Sequence, residues 1–171
     1  MEKFLCDKKC CTVYIKIPKE KKTYTHTFRR KAGIFIYDPN TNKVLLVQSN
    51  GNLWGPPKGT RKYNENTKNC AKREVMEETG LQIPVCKFSR ILYINNHATY
   101  FYVEQPECSI SLQENPDELD NDATGIGWIN VNCLEEYIKN GNITLTKHCR
   151  ILFERFLGKI FPYSDFQLVT R

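Results

Sequence analysis

No apolar run in the sequence approaches the roughly 18–20 residues that a membrane span needs. The start, Met1-Glu2-Lys3-Phe4-Leu5-Cys6, has no apolar core of the kind a secretion signal carries. A cytoplasmic protein without a membrane partner is the expectation. There is no Cys-x-x-Cys pair and there are only three His, so the familiar zinc-finger spacings are missing. Neither an internal repeat nor a low-complexity tract is present, which excludes solenoids and disordered linkers of biased composition.

What is there suits one globular domain. The chain has 171 residues, 40% of them hydrophobic and 26% charged. Its eight cysteines are expected to be reduced thiols, because a domain of this size buries enough core without disulfide staples. The adjacent pair Cys10-Cys11 has poor disulfide geometry. Cys6, Cys10 and Cys11 have no second ligand pair at zinc-site spacing after them, so no zinc is expected. Net charge is +6 and uneven: residues 1–31 hold ten basic and three acidic residues, whereas 104–122 hold seven acidic residues and no basic one. The division expected is a basic arm at 1–31, with the pattern for one extra strand, a catalytic-type domain at 32–160 and a tail at 161–171.

Period and punctuation sketch the elements. Cys11–Ile17 alternates as a strand does. Ala32–Tyr37 and Val44–Gln48 read as a hairpin across Asp38-Pro39-Asn40-Thr41-Asn42. Gly51–Thr60 reads as loop, and Asn66–Thr79 as helix closed by Gly80. Val85–Ile94 and Thr99–Val103 read as a second hairpin, Ile110–Leu112 as a short strand, and Glu114–Gly125 as loop. Ile126–Val131 is a strand, followed by helices at Leu134–Asn140 and Thr146–Leu157. Hairpins interspersed with helices predict a mixed α/β fold with the sheet covered by helices.

The informative segment runs from Gly59 to Leu81: Gly59, then Glu65, then Arg73-Glu74-Val75-Met76-Glu77-Glu78-Thr79-Gly80-Leu81. On a helix, Glu74, Glu77 and Glu78 stand at i, i+3 and i+4, so their carboxylates share one face within about 100° of arc. Ala71, Val75 and Thr79 lie on the adjoining face, which suits packing on a sheet. Carboxylates so placed repel by several tenths of a kcal/mol per pair. A hard divalent cation with oxygen ligands offsets that repulsion. A lone Glu-x-x-Glu-Glu is ordinarily a solvated helix face. Seven residue types at these spacings coincide by chance only about once in 10⁸ placements.

The string resembles the Nudix box at every defining position, including the aliphatic slots Val75 and Leu81. The resemblance implies a Nudix-type α/β/α sandwich with a mixed sheet, in which a loop–helix–loop binds Mg²⁺ or Mn²⁺ and a pyrophosphate bond of a nucleoside-diphosphate derivative is hydrolysed. By position it implies Glu74, Glu77 and Glu78 as metal ligands, joined by the carbonyl of Gly59. It implies Arg73 and Glu65 as a supporting ion pair. The proton acceptor is expected to be Glu78 or Glu77, with Asp122, in the acidic stretch before Trp128, as a further carboxylate.

Lys58, in Pro57-Lys58-Gly59, is placed to hold a phosphate oxygen. That triplet resembles mRNA-decapping Nudix enzymes and also diadenosine tetraphosphate hydrolases; Pro56 fits the second group better. Basic surface beyond the pocket is what a capped RNA uses and a dinucleotide does not need. Lys21, Lys22, Arg29 and Arg30 of the arm and Lys147 and Arg150 of the last helix are the RNA-binding candidates. Trp54, Tyr93, Tyr100 and Tyr102 are candidates for stacking on a methylated guanine. The expected substrate is capped RNA, cleaved to 7-methylguanosine diphosphate and 5′-monophosphate RNA, by a compact or viral-type decapping protein. Alternatives are a diadenosine or diphosphoinositol polyphosphate or another small nucleoside diphosphate derivative, or a non-catalytic nucleotide- or RNA-binding module. No DNA-specific contact is expected.

Overall fold

The structure is a computed structural model that describes residues 2–4, 6–16, 29–49, 52–113 and 123–162. Ten strands and three α-helices are present among them. The strands are β1 (Glu2–Phe4), β2 (Thr12–Ile15), β3 (Lys31–Asp38), β4 (Lys43–Ser49), β5 (Leu53–Gly55), β6 (Lys58–Thr60), β7 (Arg90–Ile94), β8 (Ala98–Glu104), β9 (Ala123–Asn130) and β10 (Thr144–Leu145). The helices are α1 (Thr67–Thr79), α2 (Val131–Lys139) and α3 (Lys147–Leu157). None is long and apolar enough to cross a membrane.

The main sheet runs β1-β2-β9-β4-β3-β8-β7. β3 and β8 are parallel, in register from Lys31↔Ala98 to Tyr37↔Glu104. Their neighbours are antiparallel, so the sheet is mixed. Alternation along the strands explains the layering. Ile34, Ile36, Leu45, Phe101 and Val103 join Cys70, Ala71 and Val75 of α1 in one buried cluster. Phe35, Val44, Leu46, Tyr100 and Tyr102 join Leu134 of α2 and Leu152 and Phe153 of α3 in the other. Phe35 meets Phe153 edge to face at 5.1 Å between centroids. Both faces of the sheet are thus covered by helices, which is the expected α/β/α sandwich.

Local chemistry sets the ends of the elements. The Asn66 side chain caps α1 by accepting from the Asn69 N–H at 2.8 Å, and Gly80, at φ 75°, closes it in the left-handed region. Thr146 caps α3 in the same manner through the Cys149 N–H. Asn95 and Asn96, at φ 48° and 56°, form the left-handed pair that joins β7 tightly to β8.

Several expectations need correction. The Gly/Pro-rich stretch is not all loop, because Leu53–Gly55 pairs with β4 and Lys58–Thr60 pairs with Lys31–Gly33 of β3. Val85–Lys87 is a 3₁₀ turn, so the second hairpin begins only at Arg90. Ile110–Leu112 is not a strand; Leu112 packs into the α1-side core and the Ser111 N–H reaches the Thr79 carbonyl. Thr12–Ile15 does supply an extra strand, paired with β9 as part of the main sheet.

Candidate active site

The pairing of β6 with β3 positions the site. It lays Gly59 alongside α1, so that a Cβ added at Gly59 would fall inside the Glu74 carboxylate. Only glycine lets the backbone approach that closely. The Lys58 N–H donates to Glu78 Oε2 at 2.8 Å, tying the loop to the helix a second time.

Arg73 organises the rest. Its Nε and one terminal nitrogen grip Glu65 at 2.8 and 3.0 Å in a bidentate pair. The other terminal nitrogen donates to Glu74 and Glu77, both at 2.7 Å. The Thr60 carbonyl, next to Gly59, accepts a further bond at 3.0 Å. One guanidinium therefore spans three carboxylates and the loop. The Arg73 hydrogen bonds hold the Glu65 carboxyl down at about 2, against an opposing effect of burial. Glu78 has the opposite character. Burial pushes it up to about 8; Lys58 opposes that, while the nearby charges of Glu74 and Glu77 add to it.

These residues fit a divalent cation. Three carboxylates and the Gly59 carbonyl offer oxygen ligands of the kind hard cations take. Glycine at 59 lets the Glu74 carboxylate take the space a side chain would fill and so come against the loop. Glu74, Glu77, Glu78 and the Gly59 carbonyl are the groups that would hold the ion. A bound divalent cation supplies neutralisation of phosphate oxygens and a lowered pKa of water.

Other expected site residues fall elsewhere. Trp54, Tyr100 and Tyr102 are 1%, 0% and 4% exposed, so their ring faces are covered and none of the three is a platform for a base, whereas Tyr93 of β7 is exposed. Both faces of β8 are buried, because α3 covers the Tyr100/Tyr102 side. The Arg90 guanidinium also sits 4.0 Å over the Tyr102 ring. Arg150 is not a free RNA contact either, since it donates to the Phe161 and Pro162 carbonyls and secures the chain after α3. Arg29, Arg30 and Lys147 are exposed. Lys21, Lys22 and Asp122 lie outside the described residues.

Sequence reasoning missed His148. It shares a 3.0 Å hydrogen bond, through Nδ1, with the Tyr100 hydroxyl. Burial, and then the charges of Lys58, Lys31, His97 and Lys147, hold its imidazole below the usual histidine range. Lys58 and Tyr100 both pair with Gly33 of β3, and the Lys58 N–H reaches Glu78, so the His148–Tyr100 pair stands on the carboxylate side of β3. One histidine in the first turn of a helix carries no sequence signal; its neighbours come from β3, the β7–β8 turn and β6.

Comparison with known proteins shows the family. The family model described as NUDIX domain matches residues 27–149. The chain is 35% identical over 141 residues to "Putative hydrolase 111R" of Invertebrate iridescent virus 3, covering 78% of this chain and 80% of that protein. It is 26% identical to a prenyl-diphosphate phosphatase of Methanosarcina mazei, over 67% of this chain and 72% of that one. The E. coli dihydroneopterin triphosphate pyrophosphohydrolase superposes with a TM-score of 0.55 at 17% identity, covering 77% of this chain and 97% of that one, which supports the fold. With the family model spanning most of the chain and the carboxylate helix packed against its glycine loop, this protein belongs to the Nudix family and is a Nudix pyrophosphohydrolase.

Proposed function

We propose that this chain hydrolyses capped RNA, releasing 7-methylguanosine diphosphate and leaving a 5′-monophosphate end, with Mg²⁺ or Mn²⁺ held by Glu74, Glu77, Glu78 and the Gly59 carbonyl. The observation that carries this reading is the basic cluster beside the carboxylates. Lys58 meets Glu78 through its backbone N–H, Lys31 lies opposite Thr60 and donates its N–H to the His97 carbonyl, and exposed Arg29 and Arg30 lead directly into β3. Positive charge continuing past one pocket suits a chain of phosphates, because each neutralised phosphate releases counterions. In this reading Lys58 holds a phosphate oxygen, Arg73 and Glu65 keep the loop against α1, and Glu78 or Glu77 accepts the proton of the attacking water. The protein acts in the cytoplasm.

The burial of Trp54, Tyr100 and Tyr102 favours a second reading, a small polyphosphate gripped by its phosphates. A diadenosine or diphosphoinositol polyphosphate is the substrate class.

The test is a parallel assay with each metal on cap-labelled RNA, the cap dinucleotide, diadenosine tetraphosphate and a diphosphoinositol phosphate at equal concentration. Release of 7-methylguanosine diphosphate mainly from long RNA supports decapping. Preference for diadenosine tetraphosphate or the diphosphoinositol phosphate replaces it with the second reading, and preference for the cap dinucleotide over long RNA removes the role given to the basic surface. No turnover of any of them refutes both.

A further inference from the structure

Four cysteines converge on the side of the molecule held by α2. The sulfurs of Cys6, Cys10, Cys11 and Cys133 all lie within 4.8 Å of one another. Cys10 Sγ is 3.4 Å from that of Cys6, 3.2 Å from that of Cys133 and 4.0 Å from that of Cys11. A tetrahedral zinc ion with Zn–S bonds of about 2.3 Å sets its sulfurs about 3.8 Å apart, inside the range seen here. Cys6, Cys11 and Cys133 are buried and Cys10 is half-buried.

The backbone around the sulfurs is arranged as a ligand loop. Cys6 and Cys10 are separated by three residues, within the two-to-four-residue spacing of zinc-chelating loops. The loop turns through Lys9 at φ 54°, with the Lys9 N–H donating to the Cys6 carbonyl at 2.8 Å. Cys11 enters β2, which pairs with β9, and β9 leads into the first turn of α2, where Cys133 stands. Tertiary structure thus supplies the fourth ligand, which local spacing could not reveal. Backbone N–H groups donate to two of the sulfurs, Cys10 to Cys6 at 3.2 Å and Asn130 to Cys11 at 3.3 Å. Such bonds favour thiolates and orient ligands in metal sites. The N-terminal end of α2 favours negative charge at Cys133 in the same sense.

We propose that Cys6, Cys10, Cys11 and Cys133 form a tetrathiolate site for one structural zinc ion, which clamps the N-terminal hairpin to the start of α2. Soft thiolate ligands in a tetrahedral set select zinc over the hard cations suited to Glu74, Glu77 and Glu78. The sulfurs are too close together to enclose an iron–sulfur cluster. The site needs no electron transfer: zinc replaces the protons of whichever thiols still carry them. It is independent of the hydrolytic substrate.

The experiment uses the full untagged chain, purified in reductant without added metal. Elemental analysis is expected to find one zinc per chain. Cobalt added to chelator-stripped protein is expected to give thiolate charge-transfer bands and the intense visible bands of a tetrahedral site. Cys10→Ser and Cys133→Ser should each lose the stoichiometric zinc, while Cys86→Ser, at an exposed cysteine outside the cluster, keeps it. Zinc should persist in excess Mg²⁺. Iron in place of zinc overturns the proposal. So does full zinc retention by both cluster variants, or a Cys10–Cys133 disulfide with no cobalt–thiolate bands. If the variants fail to fold, cobalt titration of the wild-type chain decides.

Discussion

Replacing Glu65 with Gln tests the ion pair that braces the site. The change keeps the side-chain shape and removes the charge that faces the Arg73 fork at 2.8 and 3.0 Å. Arg73 lowers Glu65 from 4.5 to about 2, which corresponds nominally to about 3 kcal/mol at roughly 1.4 kcal/mol per tenfold in proton affinity. Solvent reaches the pair, so screening reduces the expected loss in Glu65→Gln to about 1–2 kcal/mol. The sign follows from linkage. A carboxyl with a depressed folded-state pKa contributes stability that is present above about 4.5 and is lost as the pH falls toward about 2. Urea unfolding in EDTA, at pH 7, 5 and 3, should therefore show the full gap at pH 7, nearly all of it at pH 5, and a clearly smaller one at pH 3. Turnover at pH 7 should fall by about tenfold or somewhat more, as for other residues that orient a ligand set. An equal stability gap at pH 3 and pH 7 would mean that packing, not charge, is lost. No gap at pH 7 would refute the reasoning outright.

Four more outcomes follow from the same geometry. Glu78→Gln should lower kcat by about 10²–10⁴. In metal-free protein it should also remove a loss of stability as the pH rises from 4.5 through about 8, read by urea unfolding at pH 6 and pH 9, because the native carboxyl is raised by burial. Gly59→Ala should displace Glu74 and weaken divalent-cation activation, seen as a higher metal concentration at half-maximal rate, with the melting temperature nearly unchanged. Lys58→Ala should slow hydrolysis of every phosphate substrate without unfolding the chain, while its backbone N–H still holds Glu78. Replacing Arg29, Arg30 and Lys147 together by Ala should weaken binding of long RNA and reduce its salt dependence by up to about three phosphate contacts. The same triple variant should spare hydrolysis of the cap dinucleotide; equal loss on both substrates would place these residues in the pocket.

The carboxylate helix was legible because its information is local. Positions 74, 77 and 78 share a face by helical geometry alone, and Asn66 and Gly80 mark the ends of α1 through their own side chain and backbone. Glu65 and Arg73 are eight residues apart, and their pairing became visible through resemblance to a family string. The mixed sheet could be expected from alternation and turn residues, though not its order. The short strands β5, β6 and β10 had no such pattern, because they are two or three residues long and exist only through their partners.

By itself, then, the sequence determined the helix, the face that holds the carboxylates, the family and the sandwich class. These depend on spacings of a few residues, which the chain cannot rearrange without breaking its own hydrogen bonds. Tertiary structure decided what lies opposite what. It buried Trp54, Tyr100 and Tyr102 by covering both faces of the sheet, and tied Arg150 to the Phe161 and Pro162 carbonyls. It also set His148 of α3 against the Tyr100 hydroxyl of β8 and brought Cys133 to cysteines more than 120 residues earlier. Such meetings depend on strand order and helix docking, which are set by the burial of the whole core rather than by any short stretch of chain.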